Sequence, residues 1–179
     1  MRTSKRLQIL DAAVTVVERD GVTALTFESV ATASGLTKGG LLYHFASKDE
    51  LVLALHQHLA GMWESDLVAA LGVPVEEATA DQRLAAYAKV SIRGATGPEL
   101  LMMLEASTNP VLLQPWREVI ARWVPDPSTI DVDDVDAVTR ILAWLAADGL
   151  WLSESVGGRH LTPELRIVLA ERIGDMLGP

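Results

Sequence analysis

The segment from Thr37 to Lys48, TKGGLLYHFASK, constrains the fold more than any other stretch of the chain. Threonine is a favoured N-cap residue, so Thr37 can begin a helix, and Ser47 begins a second capping pattern. Only a short helix fits between these two starts. A Ser34-Gly35 pair precedes the segment, and glycine there permits a left-handed turn. The pattern therefore predicts a helix-turn-helix whose second helix enters a groove of DNA.

Helix start signals recur along the rest of the chain, whereas the signals for strands are weak. Capping boxes occur at residues 47–50 and 79–82, and proline follows the start signal at 97–98, 109–110 and 162–163. A long helix is expected from about Asp133 to Val156, ended by Gly157 and Gly158. We predict an all-α fold of about nine helices without internal repeats.

The predicted helices form two functional parts. Residues 1–47 are expected to form a three-helix DNA-binding domain. Residues 48–179 are expected to form a helical domain for effector binding and dimerisation. The boundary falls within a continuous packing scheme, because no flexible linker composition separates the two parts.

The charge is distributed unevenly between these parts. The net charge is −9. Residues 1–50 hold six basic and six acidic residues, so the whole excess of acid lies in the remainder of the chain. Phosphates repel an acidic surface, so we expect that remainder to face away from DNA and the cationic contacts to come from the N-terminal segment.

Several residues of the N-terminal segment are candidates for contact with DNA. Gly39 and Gly40 cost about 1 kcal/mol each in a helix interior relative to alanine, which favours close approach of the backbone to DNA over simple tolerance in a short helix. Lys48 can share a phosphate with the free N–H groups that begin the next helix, or can be an ordinary solvated lysine. The full set of predicted DNA-binding residues is Lys5, Thr26, Thr37, Lys38, Gly39, Gly40, Leu42, Tyr43, His44 and Lys48.

Four ungapped segments resemble the N-terminal domain of TetR/AcrR-family regulators: QILDAA at 8–13, TFESVA at 26–31, SGLTKG at 34–39 and LLYHFASKDEL at 41–51. The resemblance implies an all-α homodimer with an N-terminal DNA reader and a C-terminal ligand-binding domain. Most members of that family are repressors that leave DNA when a small molecule binds. Leu42 departs from the tyrosine that many members have there. It can contact a thymine methyl group, which leaves the phosphate contact to Tyr43.

Large apolar side chains on the middle helices suggest an adaptable effector pocket, although such residues at helical spacing also form ordinary cores. Glu105, flanked by apolar residues, would recognise a cation or a hydroxyl group if it is buried. The predicted ligand-binding residues are Met62, Trp63, Tyr87, Met102, Met103, Glu105, Trp116 and Trp123.

The long helix before residue 156 carries two apolar stripes, so it needs two burial partners. With the apolar face of the last helix, one stripe predicts a four-helix seam between two subunits; the alternative is a helix buried within one subunit. The predicted interface residues are Trp144, Trp151, Leu152, Leu165, Leu169 and Ile173.

Catalytic and metal sites are poorly supported. The chain has no cysteine, and His56 and His58 lie two residues apart, so they diverge on a helix. A calcium-like run of acids from Asp131 has Asp136 where the loop needs glycine and Leu142 where it needs glutamate. We therefore predict no enzyme, no cofactor and no metal.

The predicted function is a ligand-responsive transcriptional regulator, most often a repressor released from a palindromic operator by a small molecule. Its expected partners are duplex DNA, a small apolar or amphipathic effector and a second copy of the chain. No apolar run reaches the ~18 residues of a membrane span, so a cytoplasmic protein is expected. The alternatives are a ligand-insensitive DNA-binding architectural protein or co-regulator, and a helical enzyme.

Overall fold

The computed structural model describes residues 4–156 and 160–178. Within those ranges the chain forms nine α-helices, three short 3-10 turns and no strand, which confirms the predicted all-α fold. Gly157 and Gly158, predicted to end the long helix, lie outside the described residues.

The helices follow the predicted order. They are α1 Lys5–Asp20, α2 Phe27–Ser34, α3 Lys38–His44, α4 Lys48–Leu71, α5 Ala80–Ser91, α6 Gly97–Ala106, α7 Pro110–Trp123, α8 Val135–Val156 and α9 Pro163–Asp175. The 3-10 turns span Val22–Ala24, Val75–Glu77 and Pro127–Thr129.

Side-chain caps fix most of the helix starts. The hydroxyl groups of Thr79 and Thr162 accept hydrogen bonds from backbone N–H groups in the first turns of α5 and α9, and Gln82 completes the capping box of α5. At α4 the reciprocal bond is shifted by one residue, because the carboxylate of Glu50 accepts from the N–H of Ala46 at 2.7 Å. Each such cap contributes about 1 kcal/mol to helix stability.

The described residues form two compact units. The first unit contains residues 4–61 and 97–116, and the second contains residues 62–96, 117–156 and 160–178. Helices α4 and α7 contribute residues to both units. The functional division at residue 47 stays a prediction.

In the first unit, α1 packs against α2 and α6, and α2 packs against α3. Its core is formed by apolar side chains that are fully buried: Ile9, Ala13, Val16, Val17, Leu25, Val30, Leu41, Phe45, Leu51 and Leu55. This core holds the short helix α3 by two anchors, Leu41 within it and Phe45 at its end.

In the second unit, α5 packs against α8 and α9, and α8 packs against α9. The inner face of α8 is lined by Ala143 and Ala147, each 1% exposed. Small side chains allow the helix axes to approach closely. On the opposite side of α8, Leu142 and Leu145 are left exposed, at 52% and 53%.

Candidate functional site

The turn between α2 and α3 has the geometry of a helix-turn-helix. Gly35 ends α2 in the left-handed conformation, with φ 70° and ψ 16°. Thr37 then caps α3 by accepting a hydrogen bond from the N–H of Gly40 at 3.1 Å. The positive φ explains why glycine is needed at position 35, as the sequence indicated.

Helix α3 presents an accessible outer face. Tyr43 is 86% exposed and Leu42 is 42% exposed. Lys38 and Gly39 are exposed as well, and a methyl group added to Gly39 would meet open space. A large aromatic ring exposed to this extent beside an exposed backbone is available for contact with a partner.

Gly40 has a reason for its small size inside the protein. A Cβ atom at this position would lie 3.3 Å from Oγ1 of Thr37, the atom that caps the helix. Gly40 therefore has a steric reason to lack a side chain, whereas Gly39 has none within the structure. Close approach of DNA at both glycines stays a prediction.

The other predicted DNA-binding residues differ in their exposure and in the contacts they already make. Lys5 and Lys48 are exposed. Lys38 forms an ion pair with Glu28 of α2, so a phosphate would compete with that carboxylate. Thr26 is occupied as the cap of α2. The half-buried His44 packs edge-on against the ring of Tyr43, at 5.1 Å between centroids.

Four of the predicted ligand-binding residues lie in the first unit: Met102, Met103, Glu105 and Trp116. Met102 and Trp116 are buried, at 0% and 1% exposure, whereas Met103 and Glu105 are half-buried. Trp116 Nε1–H donates to Nδ1 of His56 at 3.1 Å. Trp116 therefore lies in the core and orients His56, and its contact with a ligand stays a prediction.

His56 is the central polar group of this unit. At the level of the sequence it is only a candidate metal ligand, and its spacing from His58 argues against that role. Its side chain is fully buried, and burial lowers the pKa of His56 to about 4. Nδ1 accepts a hydrogen bond, so the imidazole is neutral and carries its proton on Nε2. That Nε2 lies 3.6 Å from Oε2 of Glu105, and neither atom has a hydrogen-bond partner.

The other four predicted ligand-binding residues lie in the second unit: Met62, Trp63, Tyr87 and Trp123. Met62 is 51% exposed, whereas Trp123 is 1% exposed in the core. The rings of Trp63 and Tyr87 meet edge to face, with 5.7 Å between centroids. The eight candidates are thus divided between the units.

Two acids of the second unit were missed by the sequence reasoning. The hydroxyl group of Tyr87 donates to Oδ1 of Asp148 at 2.6 Å, and burial raises the pKa of the Asp148 carboxyl. The carboxylate of Glu64 accepts two hydrogen bonds from the guanidinium group of Arg122, both with an N–O distance of 2.6 Å. An acid inside an apolar run, as in ADGLW at 147–151, was the available signal for Asp148.

The predicted dimer residues are mostly accessible. Leu152, Leu165 and Leu169 are 42%, 44% and 36% exposed. Trp144 and Trp151 are half-buried. Ile173 is only 8% exposed, so most of its side chain is buried within its own unit, and its role between subunits stays a prediction.

The described residues offer neither a membrane-spanning helix nor a group of side chains that could hold a metal ion. Across residues 4–156 and 160–178, no helix combines the length and the hydropathy that are needed to cross a membrane. In the same ranges, no group of three or more histidine and acidic side chains is arranged to hold a metal ion.

Comparison with known families gives two matches. Residues 9–55 match the family described as bacterial regulatory proteins, tetR family. Residues 81–178 match the family described as tetracyclin repressor-like, C-terminal domain.

Two curated relatives match part of the chain. The transcriptional regulator BetI of Rhizobium meliloti is 31% identical over 93 residues, covering 52% of this chain and 44% of that protein. The regulator TtgR of Pseudomonas putida is 38% identical over 68 residues, covering 34% and 32%. These alignments span less than half of either relative.

Solved structures share the fold along the whole chain. A regulator from Saccharomonospora viridis in complex with choline has a TM-score of 0.71 at 18% identity, covering 98% of this chain and 96% of that one. The multidrug binding protein EbrR in complex with imidazole has a TM-score of 0.62 at 22% identity, covering 96% of each chain.

Proposed function

The chain belongs to the tetR family of bacterial regulatory proteins, and from that premise we propose that it represses transcription by binding a palindromic operator that a small molecule makes it release. The observation that carries this proposal is the outer face of α3, where Tyr43, Leu42 and Gly39 are exposed on a helix anchored by buried side chains. A rigid short helix with an accessible outer face is what entry into a major groove requires.

The contacts we assign to DNA are of two kinds. Leu42 and the Gly39 backbone meet base edges, where an apolar side chain recognises a thymine methyl group. Tyr43, Lys48, Lys5, Thr37 and His44 face the phosphates, with Lys38 exchanging Glu28 for a phosphate and Thr26 lying beside the backbone. Phosphate contacts set register and affinity, and base contacts set sequence preference.

Two copies of the chain bind together in this proposal. The outer stripe of α8 exposes Leu142 and Leu145 at 52% and 53%, and α9 exposes Leu165 and Leu169. Neighbouring apolar side chains left exposed on two long helices are typical of an interface between subunits. A symmetric dimer reads two half-sites about 34–36 Å apart, or multiples of that distance, and acts in the cytoplasm where its DNA is.

The effector is a small molecule with an apolar part. Solved structures with the same fold are described with choline and, for the multidrug binding protein EbrR, with imidazole, proflavin and ethidium. Within the first unit, Glu105 is the polar group that we assign to recognition. The Trp63–Tyr87 pair is a separate aromatic candidate within the second unit. A tenfold loss of DNA affinity on binding needs about 1.4 kcal/mol of coupling.

Selection of duplex DNA from a random pool tests the proposal. The expected product is an inverted repeat bound by a dimer, and failure to enrich any sequence would contradict operator binding. On the selected duplex, Lys48→Ala should reduce the slope of log affinity against log salt by about 1, because one phosphate contact is lost. Lys89→Ala, an exposed lysine of α5, should leave the slope unchanged.

A further inference from the structure

A cleft of about 680 Å³ lies within the first unit, beside the first turns of α4. Its walls come from the start of α4, the end of α6 and the start of α7. The volume falls in the range of about 300–1,000 Å³ that is typical of small-molecule sites. The cleft is therefore large enough for a drug-sized molecule next to the DNA-reading helix-turn-helix.

The walls combine apolar surface with an excess of negative charge. Val52, Leu53, Val111 and Leu112 supply the apolar part. The ionisable groups are the carboxylates of Asp49, Glu50 and Glu105 and the ammonium of Lys48. Three acids against one base make the cleft attractive to a cation and repulsive to an anion.

The carboxylate of Glu105 lacks a hydrogen-bond partner for one of its oxygens. Glu105 Oε2 is buried without a hydrogen-bond partner, and it lies 3.6 Å from Nε2 of the fully buried His56, which lacks a partner too. A partly buried carboxylate without a compensating charge costs free energy, so a positive charge in the cleft beside it is favoured. Burial raises the pKa of the Glu105 carboxyl, and the Lys48 ammonium opposes that rise.

We propose that this cleft binds a lipophilic organic cation, whose charge pairs with Glu105 and whose apolar body lies against Val52, Leu53 and Leu112. The binding site stands on the cleft alone, and only its effect on DNA rests on the proposed function. Because Lys48 lines the same cleft, an occupant lies beside the residue assigned to a DNA phosphate.

Two ions of the same shape and opposite charge test the charge preference. Titration calorimetry with tetraphenylphosphonium should give saturable binding to the full-length chain, whereas tetraphenylborate should bind at least tenfold more weakly. Equal affinity for the two ions would overturn the proposal, since the cleft would then select only apolar surface.

Three variants locate the bound cation. Glu105→Gln keeps the shape and removes the charge, so it should weaken tetraphenylphosphonium at least tenfold. Val111→Arg changes a side chain that is 62% exposed and should compete for the site without affecting folding. Glu18→Gln on α1 is the matched control and should leave the affinity unchanged. Unchanged affinity in both cleft variants would overturn the proposal and place the cation elsewhere.

A DNA titration separates this proposal from the proposed function. The selected duplex should bind Glu105→Gln as it binds the parent, but tetraphenylphosphonium should release only the parent. Cation binding that needs Glu105 but does not change DNA affinity would support the site and contradict ligand-induced release. A chain that binds no DNA would contradict the proposed function and leave the cation site to be judged by calorimetry.

Discussion

His56 shows how one buried side chain links three helices of the first unit. It lies on α4, accepts a hydrogen bond from Trp116 of α7 and directs its second nitrogen toward Glu105 of α6. Protonation of Nδ1 would place two donors face to face and would put a charge in the core. Both effects favour the neutral imidazole, in agreement with its lowered pKa.

We expect this histidine to make stability depend on pH. The pKa of His56 falls from 6.5 in the unfolded chain to about 4 in the folded chain, so the unfolded chain binds more protons between these values. The free energy of unfolding should therefore be fully retained above pH 6.5 and should decrease toward pH 4, by up to about 3 kcal/mol.

Urea unfolding of His56→Asn checks this expectation. Asparagine keeps an acceptor for Trp116 near the position of Nδ1 but cannot titrate, so the variant should lose that part of the pH dependence. An unchanged decrease in the variant would show that other groups cause it.

The sequence indicates single-residue roles well where the cause is local. A threonine cap and a glycine with positive φ are local properties, and Thr37 and Gly35 behave as expected. The role of His56 was not predictable, because its partner Trp116 is 60 residues away in the chain. Asp148 escaped detection for the same reason, since its bond to Tyr87 spans 61 residues.

At the scale of elements, the glycines at and before helix α3 differ in whether folding or DNA binding requires them. Gly39 lies in its first turn with open space where a Cβ atom would be, whereas Gly35 has a positive φ. Alanine suits a helix better than glycine by up to about 1 kcal/mol but is strained at a positive φ. The two glycines should thus respond in opposite directions.

Gly39→Ala is expected to raise the free energy of unfolding by up to about 1 kcal/mol and to weaken binding of the selected duplex, because a methyl group blocks close approach. Gly35→Ala should lower stability by about 1 kcal/mol. Thermal unfolding and a DNA titration measure the two effects. Undiminished DNA affinity in Gly39→Ala would contradict close approach at this residue.

Helix starts were predictable because caps and prolines act locally. Val135 begins α8 two positions after the expected Asp133, since the carboxylate of Asp134 accepts from the N–H of Ala137 and makes Asp134 the cap. The packing of α6 against α1 was not predictable, because it joins segments far apart in sequence whose apolar faces have no unique partner.

At the scale of the whole molecule, assembly and charge determine how the chain meets DNA. The acidic excess lies after residue 50, so a dimer formed through α8 and α9 would use acidic parts of the chain for assembly and the charge-balanced parts for DNA. A substitution on the outer stripe of α8 should therefore prevent dimerisation without unfolding the subunit.

Leu145→Glu tests that separation. A charge in the centre of an apolar interface should shift the chain from dimer to monomer in sedimentation at micromolar concentration, with little change in helical content. Val132→Glu, at a position 83% exposed before α8, should remain dimeric. A dimeric Leu145→Glu would place the interface elsewhere.

The central claim is that the outer face of α3 reads DNA, and the affinity of Tyr43→Ala for the selected duplex tests it most directly. Tyr43 is 86% exposed, so its removal should leave the thermal unfolding midpoint within a few degrees of the parent. The account predicts a dissociation constant at least tenfold weaker. An unchanged dissociation constant in the folded variant would contradict it.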